Sequence, residues 1–144
     1  MSGSDFILAV HALVYLNHKA GTGAALQNSR ELAENICTNP ARVRRVMALL
    51  KKAGLVETRE GRMDGGYIFT GPADQVTLER VAAALGTAFV SAGWRSGDPH
   101  MACRVASGIA GVMDGVLETL NGACYEKLKQ ITIADIDADL FARG

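Results

Sequence analysis

Two short, closely spaced helices followed by a hairpin are the feature that most constrains how this 144-residue chain can fold. Asn28 with Glu31 three residues later forms the pattern of a capping box, which predicts the start of one helix. Asn39 followed by Pro40 predicts the start of a second helix, and Gly54 predicts its end. Two short helices separated by a few residues indicate a helix-turn-helix.

The segment after Gly54 has the pattern of a β-hairpin. Residues 55–59 and 67–70 are rich in Val, Ile, Thr, Tyr and Phe, and GRMDGG lies between them. Residues 64–66 (DGG) can supply the positive φ angles that the reversal of the chain needs. A hairpin directly after the second helix of a helix-turn-helix is a wing, which contacts the DNA backbone or minor groove.

Further helices are predicted on both sides of this unit. The first covers residues 5–19, the fourth covers residues 78–85 with Thr77 as its cap, and a capping box at residues 132–135 starts a short terminal helix. The predicted fold class is therefore mainly α with a small β-hairpin wing, as a winged helix-turn-helix domain plus a long dimerisation helix.

That long helix is predicted from about Pro99, with Asp98 as its cap, to Gln130. Apolar side chains recur there at three- and four-residue steps, and we call five of them the apolar stripe: Val105, Ile109, Val112, Val116 and Leu120. A helix of about thirty residues spans about 45 Å, which exceeds the width of a small domain. We expect the stripe to pack against a second copy around a twofold axis. The alternative is one helix that lies across its own domain, with a break at its glycines.

The chain divides into two predicted segments. Residues 1–86 form the winged helix-turn-helix DNA-binding domain. Residues 87–144 contain a loop, the long dimerisation helix and the short C-terminal helix.

Basic residues are concentrated in the helix-turn-helix and hairpin. The formal net charge of the whole chain is zero, but residues 39–62 contain seven Lys or Arg and only two Asp or Glu. A basic patch in a neutral protein indicates an anionic partner at one face. A solvated helix face is the alternative, but no acid interrupts residues 39–56. The residues predicted to contact double-stranded DNA are Asn28, Ser29, Asn39, Ala41, Arg42, Arg44, Arg45, Lys51, Arg59 and Arg62.

The cysteines argue against a metal site. Cys37, Cys103 and Cys124 are scattered and odd in number, so no zinc site or redox pair is predicted, and the pattern suits a reducing cytoplasm. We predict that Cys37 is buried. Cys103 near a helix N-terminus is a candidate redox sensor because its pKa should fall there; a buried apolar role is the alternative. No catalytic framework, metal, cofactor or membrane span is predicted, so we expect a cytoplasmic protein that is not an enzyme.

Three segments carry a family resemblance: SRELAENICTNPARVRRVMALLKKAGLVET, GGYIFTGPADQVTLERVAAALG and ITIADID. Over nearly its whole length the chain resembles the Rrf-type winged helix-turn-helix regulators of bacteria, the group of IscR, NsrR and CymR. The resemblance implies a homodimeric transcription factor that binds a palindromic operator through its third helix. It also implies a dimer interface along the long helix, which can contact the DNA-binding half of the partner. By this resemblance, the residues that read bases would be Asn39, Ala41, Arg42, Arg44 and Arg45. The wing residue that contacts the minor groove would be Arg59 or Arg62.

One departure from the family pattern changes the expected cofactor. Many members hold an iron–sulfur cluster through three closely spaced cysteines before the long helix, whereas residues 87–103 contain only Cys103. The resemblance therefore points to the cluster-free branch, with a small molecule, a protein or a thiol as the signal. The predicted function is a sequence-specific repressor. The alternatives are a winged-helix dimer that binds only proteins and a regulator that senses redox state through Cys103.

Overall fold

The computed structural model describes residues 1–60 and 65–142. In chain order its elements are α1 (Gly3–Gly21), α2 (Ser29–Ile36), α3 (Pro40–Lys52), β1 (Val56–Arg59), β2 (Gly66–Phe69), a 3₁₀ helix (Ala73–Gln75), α4 (Leu78–Leu85), α5 (Arg104–Leu128) and α6 (Ile133–Ala142). Helices α2 and α3 followed by the β1–β2 hairpin form a winged helix-turn-helix. The predicted fold class, mainly α with a small hairpin wing, is confirmed.

Side-chain caps start α2 and α3 at the predicted positions. Asn28 Oδ1 accepts a hydrogen bond from the backbone N–H of Glu31 at 2.8 Å, and Glu31 Oε1 accepts one from the N–H of Asn28 at 3.1 Å. Asn39 Oδ1 accepts from the N–H of Arg42 at 2.8 Å, with Pro40 in the first helical position. Such a cap contributes about 1 kcal/mol to stability, so the local sequence fixes both helix starts.

The turn between α2 and α3 contains Cys37. This residue ends α2 in the left-handed conformation, with φ 65°, and its side chain is exposed. Its thiol makes weak contacts of 3.7 and 4.0 Å with the carbonyl oxygens of Glu34 and Asn35. The prediction that Cys37 is buried was wrong, because a residue at this tight turn stays at the surface.

Helix α1 lies at the centre of the core and packs against α2, α3, α4 and α6. The largest fully buried side chains include Leu13, Leu16, Leu32, Met47, Leu50, Leu55, Val81 and Ile133. Because Val43, Val46, Met47 and Leu50 bury one side of α3, the opposite side of that helix is left facing solvent.

The C-terminal helix α6 packs onto the N-terminal part of the chain. The segment before it pairs with the start of α4: the N–H of Leu78 donates to the carbonyl of Ile131 at 2.8 Å, and the N–H of Ile133 donates to that of Val76 at 2.9 Å. Ile133 is fully buried in the common core. The division of the chain after residue 86 stays a prediction.

The wing is tied to the segment that precedes α2. Strands β1 and β2 pair antiparallel, with Val56 opposite Phe69 and Arg59 opposite Gly66. Tyr67 of β2 also exchanges two backbone hydrogen bonds with Gln27, of 2.8 and 3.2 Å. The predicted tip residues Arg62 and Asp64 lie outside the described ranges.

Gly66 allows the close approach between the wing and Gln27. A Cβ atom at residue 66 would lie 2.6 Å from the carbonyl oxygen of Gln27 and 2.7 Å from its carbonyl carbon. We therefore expect Gly66→Ala to lower the free energy of unfolding by about 1–3 kcal/mol, as measured by urea denaturation, because two backbones would have to separate. Gly21→Ala is the control, since no heavy atom lies within 4 Å of its added Cβ. Equal midpoints for both variants would contradict this role of Gly66.

Helix α5 differs from the prediction at its start. It begins at Arg104 rather than near Pro99, and it spans 25 residues, or about 38 Å. Asp98 does not cap it. Instead, the carboxylate of Asp98 accepts from the N–H of His100 at 2.9 Å, and the N–H of Asp98 donates to the carbonyl of Ala106 at 2.9 Å. Gly97, with φ 75°, turns the chain against this first turn of α5.

The loop after α4 is fixed to α5 by polar contacts. The side-chain oxygen of Asn121 accepts from the N–H groups of Phe89 and Val90 at 2.8 and 2.9 Å, and its amide donates to the carbonyl of Val90 at 2.7 Å. Phe89 packs edge-on against both Phe6 and Tyr125. These contacts hold the C-terminal half of α5 against α1 and α4.

Candidate nucleic-acid interface

The N-termini of α2 and α3 open onto one polar groove. The groove has a volume of about 620 Å³ and is lined by Asn28, Ser29, Arg30, Asn39, Pro40, Ala41 and Arg44. A helix N-terminus carries a partial positive charge and free backbone N–H groups, which favour an anion such as phosphate. The groove brings two of these termini together with two arginines.

The solvent side of α3 carries only small or basic side chains. The residues exposed along it are Ala41, Arg44, Arg45, Ala48, Lys51 and Lys52. This arrangement follows from the burial of the opposite apolar side. Four residues predicted to contact DNA, Ala41, Arg44, Arg45 and Lys51, therefore lie on one continuous surface, which we call the α3 basic face.

Arg44 connects the α3 basic face to its neighbours. Its Nη1 donates to Ser29 Oγ, at the start of α2, at 3.3 Å. On the wing, partial burial raises the pKa of Tyr67, and the positive charge of Arg44 acts in the opposite direction. Arg44 therefore lies where α2, α3 and the wing meet.

Arg42 occupies a different position on α3. Its side chain is 32% exposed, and its Nε donates to Asp5 Oδ1, at the start of α1, at 3.1 Å. Nothing in the sequence links these two residues, which are 37 positions apart. The contact arises only because the first turn of α1 packs beside the first turn of α3.

The wing adds one predicted contact residue to the described surface. Arg59 is exposed at the end of β1, beside the exposed acid Glu60. Arg62, the other wing arginine predicted to contact DNA, lies outside the described ranges. The wing therefore supplies a weaker positive charge than α3, within the residues that the structure describes.

The apolar stripe of α5 is largely uncovered. Val105 is 72% exposed and Val112 65%, while Val116 and Leu120 are 43% and 46% exposed. Ile109 is half-buried. In the described part of the chain, no residue of α5 is fully buried. A helix with this much exposed apolar surface marks an interaction site.

Cys103 is exposed and directly precedes α5. The backbone N–H groups of Ala106 and then Val105, in the first turn of that helix, lower the pKa of its thiol. The expected fall of this pKa is thus present, whereas the alternative of a buried apolar role for Cys103 does not fit its exposure.

A second concavity lies between α1 and α6. It could not be predicted from the sequence because these two helices are far apart in the chain. It has a volume of about 440 Å³ and is almost wholly apolar, with Phe6, Val10, Ile136 and Leu140 among its walls. Two histidines border it: His11 Nε2 lies 2.7 Å from Asn35 Oδ1, and His18 stacks on Phe141.

Comparison with known proteins identifies the class of the chain. A family model described as "Rrf2: Iron-dependent Transcriptional regulator" matches residues 3–139. The protein named "Putative HTH-type transcriptional regulator YwnA" from Bacillus subtilis (strain 168) is 28% identical over 141 residues, which are 98% of this chain and 100% of that protein.

Solved structures show the same fold. The crystal structure of a protein described as a putative transcriptional regulator from Lactobacillus plantarum has a TM-score of 0.78 and 25% identity, over 94% of this chain and 89% of that one. The structure of T. potens IscR has a TM-score of 0.67 and 22% identity, over 96% and 86% of the two chains.

The family description names iron, but the described side chains offer no group of ligands for it. Within residues 1–60 and 65–142, no three His, Cys, Asp or Glu side chains come together as metal ligands. Cys103 is the only thiol in the loop before α5. One thiolate does not fit a cysteine-ligated iron–sulfur cluster.

Three findings agree on the class of this protein. Its α2–α3 unit and hairpin form a winged helix-turn-helix, its third helix exposes a basic face, and a family model covers nearly the whole chain. No helix within the two described ranges is long and apolar enough to cross a membrane. The resemblance found in the sequence is confirmed: the chain belongs to the Rrf2 family and is a DNA-binding transcriptional regulator, not an enzyme.

Proposed function

We propose that this regulator is a cytoplasmic homodimeric repressor that binds a palindromic operator in a sequence-specific manner. The observation that carries the proposal is the α3 basic face, which has no exposed acid and adjoins the groove formed by the N-termini of α2 and α3. A surface of this kind attracts phosphate and places Arg side chains where base edges can be read.

The individual side chains have separate roles in this proposal. Asn39, Ala41, Arg42, Arg44 and Arg45 form or adjoin the first turns of α3, which enter the major groove in helix-turn-helix proteins. Arg is suited to guanine because it can donate two hydrogen bonds at once. Asn28, Ser29 and Lys51 contact phosphates, while Arg59 and Arg62 of the wing follow the neighbouring backbone or minor groove. These assignments are proposals for each residue.

The proposed dimer rests on α5. Its apolar stripe has no covering element among the described residues, although five apolar side chains at helical spacing would gain from burial. The same helix of a second copy is the simplest cover, and a twofold axis makes the two surfaces identical. A symmetric dimer binds a palindrome whose half-sites lie about 34 Å, or one helical turn, apart.

The salt dependence of DNA binding tests the proposal. We expect the protein to shift a duplex from the region upstream of its own gene, or one selected from a random pool. The affinity should fall by about 10³-fold between 50 and 200 mM salt if the dimer makes about six phosphate contacts. A scrambled duplex of equal length is the control for sequence specificity.

Two results would count against a DNA-binding repressor. The first is the absence of any salt-sensitive complex with the selected duplexes. The second is equal affinity for selected and scrambled duplexes, because that leaves only non-specific attraction. A winged-helix dimer that acts through protein contacts alone would give the first result.

A thiol-sensing regulator is the second candidate function, and the exposure and lowered pKa of Cys103 favour it. The thiol is exposed, and the first turn of α5 lowers its pKa, so more of it is thiolate at neutral pH than for an ordinary cysteine. The two candidates share the DNA surface. They differ in the signal, because only a thiol-sensing regulator would change its operator affinity when Cys103 is oxidised. A small-molecule or protein effector is the alternative signal.

A further inference from the structure

Asp5 joins the start of α1 to the start of α3. Its Oδ1 accepts from Arg42 Nε at 3.1 Å, and its Oδ2 accepts from Ser2 Oγ at 3.1 Å. The side chain of Asp5 is only 14% exposed, whereas that of Arg42 is 32% exposed. The carboxylate is thus held from both sides, and it contacts a residue of the proposed DNA-reading turn.

The pair uses one edge of the guanidinium and leaves the rest available. Arg has five N–H donors, of which the one on Nε is bound to Asp5. Within the described residues, the terminal nitrogens of Arg42 donate to no other group. Four donors therefore remain on a side chain that is held at its Nε and is one-third exposed.

The pair is formed at neutral pH. Partial burial acts to raise the pKa of Asp5, but the hydrogen bonds from Arg42 and Ser2 and the positive charge of Arg42 outweigh it. The pKa of Asp5 therefore lies below its ordinary value. Asp5 is ionised throughout the physiological range.

We propose that Asp5 is a positioning residue for DNA recognition, which holds Arg42 at its Nε so that the terminal nitrogens meet the operator in one orientation. The inference rests on the proposed function. A long, flexible Arg side chain loses rotational freedom when it binds DNA, and a side chain that is already held loses less. Asp5 thus raises specificity without touching DNA itself.

A purely electrostatic role for Asp5 makes a different prediction for the Asp5→Asn variant. A carboxylate beside the DNA surface repels phosphate, so its removal would raise the affinity for every duplex alike. Positioning predicts that its removal lowers the ratio of operator affinity to scrambled-duplex affinity. The ratio separates the two roles, because a uniform gain in affinity cancels from it.

The experiment is a double-mutant cycle with Asp5→Asn, Arg42→Ala and the double variant. Operator and scrambled-duplex affinities are measured by gel shift at one salt concentration, and thermal melting checks that each variant is folded. We expect Asp5→Asn to lower the affinity ratio by about tenfold, in the range of one lost base contact. In the Arg42→Ala background, Asp5→Asn should leave the ratio unchanged, because Asp5 acts only through Arg42. Ser2→Ala, which removes one hydrogen bond to Asp5, is a milder variant and should lower the ratio less.

The outcomes separate this inference from the proposed function. A wild-type protein that does not distinguish the two duplexes overturns the proposed function and the role of Asp5 with it. If the wild type distinguishes them, an unchanged ratio for Asp5→Asn overturns only the role of Asp5. An equal fall of the ratio in both backgrounds also overturns it, because Asp5 would then act independently of Arg42.

Discussion

Replacing Arg44 and Arg45 together with alanine is expected to lower operator affinity by about 10²-fold or more, because each Arg–guanine contact contributes about 1–3 kcal/mol of discrimination. Both side chains are exposed on the first two turns of α3, so their loss should not disturb the core. Affinity for a scrambled duplex should fall far less, since only two charges are removed from each chain. Gel shifts with both duplexes measure the two effects separately.

Two variants control for the loss of charge. Lys51→Ala removes a charge from the same exposed face beyond the first turns. We expect it to weaken all duplexes alike and to reduce the salt slope by about two units, one for each chain of the dimer. Lys127→Ala removes an exposed charge from α5, outside the helix-turn-helix, and should leave both affinities unchanged. If the double Arg variant weakened both duplexes equally, Arg44 and Arg45 would be phosphate contacts and not base readers.

Introducing a charge into the apolar stripe should have the largest effect on assembly. We expect Val112→Asp to raise the dimer dissociation constant by about 10³-fold, because both copies would bury an unpaired carboxylate. Sedimentation at micromolar concentration should then give the 15.2 kDa mass of one chain, whereas the wild type should give twice that mass. Operator affinity should fall as well, because two linked half-sites no longer bind together.

Glu118→Lys is the matched control for this variant. It changes the charge of α5 by two units at an exposed position that lies two residues from Val116, and therefore on another side of the helix. We expect this variant to remain a dimer. A wild-type protein that sediments as a monomer would contradict the proposed role of the stripe, as would a Val112→Asp variant that stays dimeric.

Local signals predicted the helix-turn-helix well. The caps at Asn28 and Asn39, the stop at Gly54 and the strand pairing around Gly66 depend on residues a few positions apart, so the sequence contains nearly all the information that sets them. The buried side of α3 follows from its periodicity, and the position of the basic face follows from that burial.

Contacts between distant segments could not be predicted in the same way. Asp98 followed by Pro99 has the local pattern of a helix start, yet the loop folds back on Ala106 and α5 begins five residues after Pro99. The Asp5–Arg42 pair depends on how α1 and α3 pack, which no local pattern specifies. The apolar concavity between α1 and α6 was missed for the same reason.

The attachment of α5 to α4 has a mechanical consequence. Tyr125, in the last turns of α5, donates to the carbonyl of Thr87 just after α4, and Thr132 just beyond α5 bridges to Thr77, the cap of α4. The end of α5 is thus fastened near both ends of α4, which packs on α3. In a twofold dimer, a rotation of α5 would therefore be transmitted through α4 to α3. A small change in the crossing angle of the two α5 helices would move the two α3 helices apart or together, and so change the half-site spacing that the proposed dimer can bind.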